Sequence, residues 1–103
     1  MVGDFHYRHQ DYTLAIGQFQ QALRKRPDHF SAKYSLGVCQ LRLKHWSEAI
    51  ASFNASIRPG NEFVYVYMLR GLAFGQQGDL EAAEADFAHA THLDPDEYGL
   101  YIN

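Results

Sequence analysis

The clearest structural signal in this chain lies in residues 67–95, which read YMLRGLAFGQQGDLEAAEADFAHATHLDP. The Gly78-Asp79 pair marks a turn, and Pro95 marks a stop. Between them, apolar residues recur three or four positions apart, at Leu80, Ala83, Phe87 and Ala90. This spacing predicts an amphipathic helix with one apolar side, which begins after the turn and ends before Pro95.

The same pattern occurs three times in the chain, at intervals of 34 residues. Shifting the sequence by that interval aligns residues of the same type in five columns. The columns are Gly3, Gly37 and Gly71; Tyr12, Trp46 and Leu80; Ala15, Ala49 and Ala83; Phe19, Phe53 and Phe87; and Ala22, Ser56 and Ala90. Self-similarity at a fixed interval of this length indicates a repeat architecture.

Each repeat contains a second helix with its own stop, because the apolar stripes of the first two repeats end at Pro27 and at Pro59-Gly60. The glycine and alanine columns are small, which permits a close crossing of two helices beside the phenylalanine. We therefore expect helices near residues 2–9, 12–25, 29–43, 46–57, 62–77 and 80–92, with a further helix beginning at about residue 96.

In these columns the chain resembles the tetratricopeptide repeat family, which has Gly, Ala, an aromatic residue and Ala in this order. The resemblance implies an all-α fold, a right-handed α-solenoid of antiparallel helix pairs. It divides a single domain, residues 1–103, into a partial repeat 1–29, repeats 30–63 and 64–97, and the start of a further helix at 98–103. Two departures are Arg70, where the family usually has Leu, and the displaced Pro59.

The resemblance also implies a function, because the first helices of such arrays line a concave groove that binds peptides. The groove positions are Asp4, Tyr7, Arg8, Ser31, Tyr34, Val38, Leu41, Arg42, Tyr65, Met68, Leu72, Gly75 and Gln76. Of these, we expect the binding residues to be Tyr7, Arg8, Tyr34, Val38, Leu41, Arg42, Tyr65, Met68 and Leu72. Their chemistry suits a mixed apolar and acidic peptide.

Two alternatives to groove binding remain at this stage. Tyr34, Tyr65 and Leu72 could instead pack between adjacent first helices. The chain could also be a non-catalytic regulatory or oligomerisation module of a larger multi-repeat protein or enzyme. A third reading is excluded, because Asp4, Ser35, Tyr65 and Leu69 replace the Lys, Asn and Arg with which some members of the family hold a chaperone's terminal carboxylate.

The sequence contains no residues that indicate catalysis, a cofactor or a metal. His6 and His9, like His89 and His92, are three residues apart, but two imidazoles are not a zinc site, and solvated surface histidines are the simpler interpretation. No Gly-rich phosphate loop follows a strand pattern. Cys39 has no neighbour that would activate a thiol, so we expect a small core residue.

Charge is distributed unevenly along the chain. Residues 1–60 carry eight Lys/Arg and four Asp/Glu, whereas residues 61–103 carry one Arg and eight Asp/Glu. Arg24, Lys25 and Arg26 fall in a last helical turn, where cations complement the helix dipole, so nucleic-acid binding is not expected. No apolar run spans a membrane, and the single cysteine is compatible with a reducing cytosol; we expect a cytoplasmic protein.

Both ends of the chain fall inside a first helix, which leads to a hypothesis of self-association. We expect Tyr98, Leu100, Tyr101 and Ile102 of one molecule to pack near Val2, Phe5 and Tyr12 of the next. Such a head-to-tail contact would continue the solenoid and pair the acidic end with the basic end.

Overall fold

The computed structural model describes the backbone of residues 2–60 and 62–94 and the side chains of residues 11–60 and 62–94. Within these ranges the chain forms five α-helices and no β-strand. They are α1 (Val2–Lys25), α2 (Phe30–Arg42), α3 (Trp46–Ser56), α4 (Val64–Gln76) and α5 (Leu80–Leu93). The all-α prediction is confirmed, and α2 to α5 agree with the expected helices within two residues at each end. The helix expected from residue 96 lies outside the described residues.

The expected break after residue 9 is wrong, because α1 is one continuous helix of 24 residues. In the other two repeats the chain turns at Lys44 (φ 64°) and Gly78 (φ 86°), both in the left-handed region. The equivalent residue in the first repeat is Gln10, which stays helical. Glutamine is a good helix former, and neither Gly nor Pro lies near it to end the helix.

Two units of structure follow from the contacts, Met1–Ser56 and Ile57–Asn103. In the first unit, α2 packs against both α1 and α3; in the second, α4 packs against α5. The segment between α3 and α4 contains Pro59 and Gly60, whose positive φ of 78° an L-residue rarely adopts.

Helices α2 and α3 cross at Gly37, as the aligned glycine and alanine positions of the repeats predicted. A Cβ atom added to Gly37 would lie 2.6 Å from Phe53 Cε1, so only glycine fits. Phe53 and Ala49 are completely buried. The missing side chain of Gly37 thus provides the space that the Phe53 ring fills.

The pair α4 and α5 repeats this arrangement in the second unit. A Cβ atom added to Gly71 would lie 2.8 Å from Phe87 Cε1 and 3.2 Å from Asp86 Cβ. Ala83 and Ala90 are buried on the same side of α5. The glycine and phenylalanine columns therefore form the same close crossing in both units.

Helix ends in both units are closed by hydrogen bonds. His29 Nδ1 accepts from the Ala32 amide at the start of α2, and Asp79 Oδ1 accepts from the Ala82 amide at the start of α5, both at 3.2 Å. After α2 the His45 amide donates to the Gln40 carbonyl at 2.8 Å, and after α4 the Asp79 amide donates to the Phe74 carbonyl at 3.0 Å. These bonds satisfy groups that a helix end leaves without intrahelical partners.

Arg70, the departure from the family pattern, forms a buried ion pair. Its Nη2 lies 2.6 Å from Asp86 Oδ1 and its Nε lies 2.8 Å from Asp86 Oδ2, a bidentate arrangement. The two side chains are 20% and 7% exposed. The hydrogen bond to Asp86 raises the pKa of Arg70, which therefore stays cationic. Leu36 and Ser52 stand at the equivalent positions of the preceding repeat.

We expect Gly37→Ala and Gly71→Ala each to lower the free energy of unfolding by about 1 to 3 kcal/mol, because the new methyl group overpacks the crossing. The matched control is Gly17→Ala, since Gly17 is also helical but has nothing within 4 Å of an added Cβ atom. That variant should be stabilised by roughly 0.5 to 1 kcal/mol. Urea unfolding of the three variants tests this, and equal effects would contradict the close crossing.

The Arg70–Asp86 pair gives a second prediction. Asp86→Ser removes the carboxylate that Arg70 Nε and Nη2 both bind and should cost about 3 kcal/mol. Arg70→Leu combined with Asp86→Ser reproduces the residues of the preceding repeat and should recover most of that loss. Thermal and urea unfolding of the single and double variants measure both. If the double variant were as unstable as Asp86→Ser, the loss of stability in the single variant would not come from breaking the ion pair.

Candidate functional site

Four of the predicted binding residues lie on α2, and we call them the α2 stripe. They are Tyr34, Val38, Leu41 and Arg42. Their spacing of four, three and one residues places them along one side of the helix. Arg42 is exposed, and the other three are partly exposed. Leu36 and Cys39 are buried instead, so the α2 stripe lies outside the buried part of the helix.

Tyr34 also takes part in packing, which the sequence left open. Its ring is stacked on Phe30 at a centroid distance of 6.1 Å and tilted against Phe53 at the same distance. Burial raises the pKa of its hydroxyl. Tyr34 therefore supports the contact between α2 and α3, and its substitution would change stability as well as any binding.

Three further predicted residues, Tyr65, Met68 and Leu72, lie on α4, and we call them the α4 stripe. Their spacing of three and four residues again places them along one side. Leu72 is 48% exposed. Tyr65 meets the edge of Phe63 at a centroid distance of 5.3 Å. Leu72 is thus the most accessible apolar group of this stripe.

The remaining expectations fall outside what the structure describes. The side chains of Tyr7 and Arg8 are not among the described side chains, and neither are those of Val2 and Phe5. Residues 98–102 lie beyond the described range altogether. Their proposed roles in binding and in head-to-tail association stay predictions.

The sequence interpretation missed a polar cluster in the second unit, made of Glu62, Tyr67 and His89. The Tyr67 hydroxyl donates to Glu62 Oε1 at 3.1 Å, and His89 Nε2 lies 3.1 Å from the same oxygen. The rings of Tyr67 and His89 meet edge to face, with their centroids 4.3 Å apart. His89 does lie at the surface, with its side chain 39% exposed, but the sequence did not reveal its partner, because no periodicity links residues 27 positions apart.

The ring of Tyr67 also contacts the ion pair of the same unit. The Arg70 guanidinium carbon lies 5.4 Å from the Tyr67 ring centroid, within the range of a cation–π contact. The polar cluster and the Arg70–Asp86 pair are thus continuous. Hydrogen bonds from His89 and Tyr67 lower the pKa of Glu62, while burial and the bond to Glu62 raise the pKa of Tyr67.

An apolar pocket of about 290 Å³ lies in the first unit, at the end of α1 and against α2 and α3. Its apolar lining comes from Leu23, Pro27, Leu36, Ala51 and Ala55. Lys33 and Ser52 complete it. Ser52 is already engaged, because its hydroxyl donates to Gln40 Oε1 at 2.6 Å. None of the residues of the α2 stripe lines this pocket.

The described residues contain no group of three or more His, Cys, Asp or Glu side chains that could hold a metal ion. Cys39 is buried, and burial raises the pKa of its thiol. Across the part of the chain that the structure describes, no helix is long and apolar enough to cross a membrane.

Family models described as Tetratricopeptide repeat match residues 3–62 and residues 64–97. Together with the helix pairs and their glycine crossings, these matches show that the chain belongs to the tetratricopeptide repeat family. Repeats of this family are generally protein-interaction modules and are generally non-catalytic.

Individual relatives agree with this assignment. BBSome complex member BBS4 of Xenopus tropicalis is 27% identical over 102 residues, which are 99% of this chain and 20% of that protein. The solved structure of the MamA RS-1 ArsTM double mutant matches 86% of this chain, with a TM-score of 0.80 and 31% identity. A structure of MamA AMB-1 matches 84%, with a TM-score of 0.75 and 29% identity. These likenesses support the α-solenoid class.

This chain spans only part of each of these relatives. It corresponds to a fifth of the length of the BBSome complex member and to 51% and 48% of the two MamA chains.

The lowered pKa of Glu62 predicts a pH dependence of stability. A carboxyl group whose pKa is depressed on folding stabilises the protein above its unfolded pKa, about 4.3, and this contribution is lost as the pH falls through the folded pKa. We therefore expect Glu62→Gln to reduce the loss of stability between about pH 5 and pH 3. Glu84→Gln is the control, since Glu84 is exposed on α5. Urea unfolding across this pH range tests the prediction. If the free energy of unfolding of both variants depended on pH in the same way, the contribution of Glu62 to stability would be contradicted.

Proposed function

We propose that this chain is a protein-interaction scaffold that binds a peptide or a partner protein, with the α2 stripe as the binding surface of the first unit and the α4 stripe as that of the second. The observation that carries the proposal is the partial exposure of aromatic, aliphatic and cationic side chains along one side of each first helix, in a chain of the tetratricopeptide repeat family. Tyr7 and Arg8 belong to the same proposal through their matching positions in the first repeat.

The chemistry of the stripes defines the class of partner. Leu72 and Met68 offer apolar contact, and the flexible thioether of methionine adapts to differently shaped partners. Arg42 is exposed in the last turn of α2 and offers a planar guanidinium to a carboxylate. The α2 stripe, which carries Val38 and Leu41 beside Arg42, therefore suits a peptide that combines apolar side chains with an acidic group.

A second proposal concerns the context of this binding. Almost the whole chain matches a fifth of a protein named as a member of the BBSome complex, and 86% and 84% of it match about half of the two MamA chains. Such partial matches favour a module within a larger multi-repeat protein that assembles with other proteins. We propose that its contribution there is non-catalytic, with neither a cofactor nor a metal, in keeping with the general role of the family.

The binding proposal predicts the effect of two substitutions. Peptides selected from a displayed 15-residue library against the unmodified chain should bind roughly tenfold more weakly to Arg42→Ala or to Leu72→Ala, because each removes an anchoring contact. The thermal midpoint should stay nearly unchanged, since both side chains are exposed. Tyr34→Ala should instead lower both binding and stability.

The matched control is Gln18→Ala, because Gln18 is exposed on α1 and belongs to neither stripe. Binding is measured by fluorescence anisotropy with the selected peptides synthesised and labelled. Peptides that bind equally well to Arg42→Ala, Leu72→Ala and Gln18→Ala would contradict the role of both stripes.

A further inference from the structure

The apolar pocket of the first unit has an equivalent place in the second unit, where the same repeat positions are occupied differently. Four pairs of positions 34 residues apart define both places. The pairs are Lys33 and Tyr67, Leu36 and Arg70, Ser52 and Asp86, and Ala55 and His89.

In the second unit, side chains of the chain itself fill this place. The ring of His89 lies against the ring of Tyr67 with centroids 4.3 Å apart, and Arg70 pairs with Asp86 beside them. In the first unit the position of His89 is taken by Ala55, whose methyl group is too short to fill the space between α2 and α3 that the imidazole ring fills between α4 and α5. The volume that a ring occupies in the second unit is therefore open in the first, where the pocket measures about 290 Å³.

Basic residues outnumber acidic ones beside the open pocket along the chain. Lys33 lines it, and Arg24, Lys25 and Arg26 follow Leu23, another lining residue, whereas Asp28 follows the lining residue Pro27. None of these four cations forms an ion pair with any residue that the structure describes. Between residues 11 and 56 there are six Lys/Arg and three Asp/Glu, an excess of three positive charges in a chain whose net charge is −3.

We propose that this pocket is a second binding site, which takes one large apolar side chain, preferably an aromatic ring, from an acidic segment of a partner protein. The ring occupies the space beside Ala55 that His89 fills in the second unit. Carboxylates on either side of it face Lys33 and the Arg24–Arg26 run. An apolar anchor with opposite charges around it is the usual arrangement at a protein interface.

This site differs from the stripes of the proposed function in position. Its lining comes from the end of α1, from α3 and from Lys33 and Leu36 of α2, and none of the stripe residues is among these. A single-stranded nucleic acid would use the four cations but would leave the apolar lining without a role, so an acidic peptide accounts for more of the observations.

The test uses the full chain and a labelled 12-residue peptide in which a central Phe is flanked by Asp and Glu on both sides. We expect this peptide to bind in fluorescence anisotropy, and Ala55→His to weaken binding about thirtyfold by filling the pocket as the second unit does. Lys33→Glu should weaken it several-fold and reduce its dependence on salt. Ala88→His is the matched control, because Ala88 is exposed on α5 of the other unit.

Two further peptides are tested on the unmodified chain, so that misfolding of a variant cannot explain a loss of binding. One stripe variant serves as a further control. Replacing the central Phe by Ser, or all Asp and Glu by Asn and Gln, should abolish binding, and Arg42→Ala should leave it unchanged. The proposal is wrong if the Phe peptide does not bind at up to about 1 mM, if Ala55→His binds it as well as Ala88→His does, or if the Ser peptide binds equally. It is also wrong if a single-stranded oligonucleotide binds in preference to the peptide.

Discussion

The close crossing of a glycine and a phenylalanine is the contact on which each helix pair depends. A Cβ atom at Gly37 or Gly71 would lie within 3 Å of the facing ring, so the two helices could not keep their present separation with any other residue there. On α2 the crossing side includes the buried Leu36, Gly37 and Cys39, whereas Arg42 is exposed at the end of the helix.

Around this common crossing the two pairs differ in chemistry. The second unit holds a buried bidentate ion pair with a cation–π contact and a hydrogen-bonded His89, whereas the first has Leu36, Ser52 and Ala55 in the matching places. Neither set of side chains disturbs the glycine–phenylalanine crossing, since both sets lie beside it. Repeat positions that vary in this way can carry specific binding without cost to the helix pair, and this supports our proposal that the pocket of the first unit contacts a partner.

The continuous α1 shows how far a repeat pattern alone can be trusted. Its columns match those of the other repeats, and this similarity suggested two helices. In the other two repeats the first helix ends where Lys44 or Gly78 enters the left-handed region, which is a common way for a helix to end. Gln10 remains helical, and from residue 11 to residue 25 no side chain of α1 is fully buried.

From the sequence by itself, the fold class, four of the helices and the roles of Gly37, Gly71 and Phe53 followed, because they depend on periodicity and side-chain size within one repeat. The stripe residues of α2 and α4 were implied by the resemblance to the family, and their role in binding stays a proposal. Tertiary structure decided the rest: the pairing of Arg70 with Asp86, the engagement of His89, the packing of Tyr34 and the open pocket. These depend on side chains 16 to 27 positions apart meeting in space, and on whether their volumes fill the gap between helices. A repeat pattern shows which positions face each other, but the residues on both sides decide whether the space is filled.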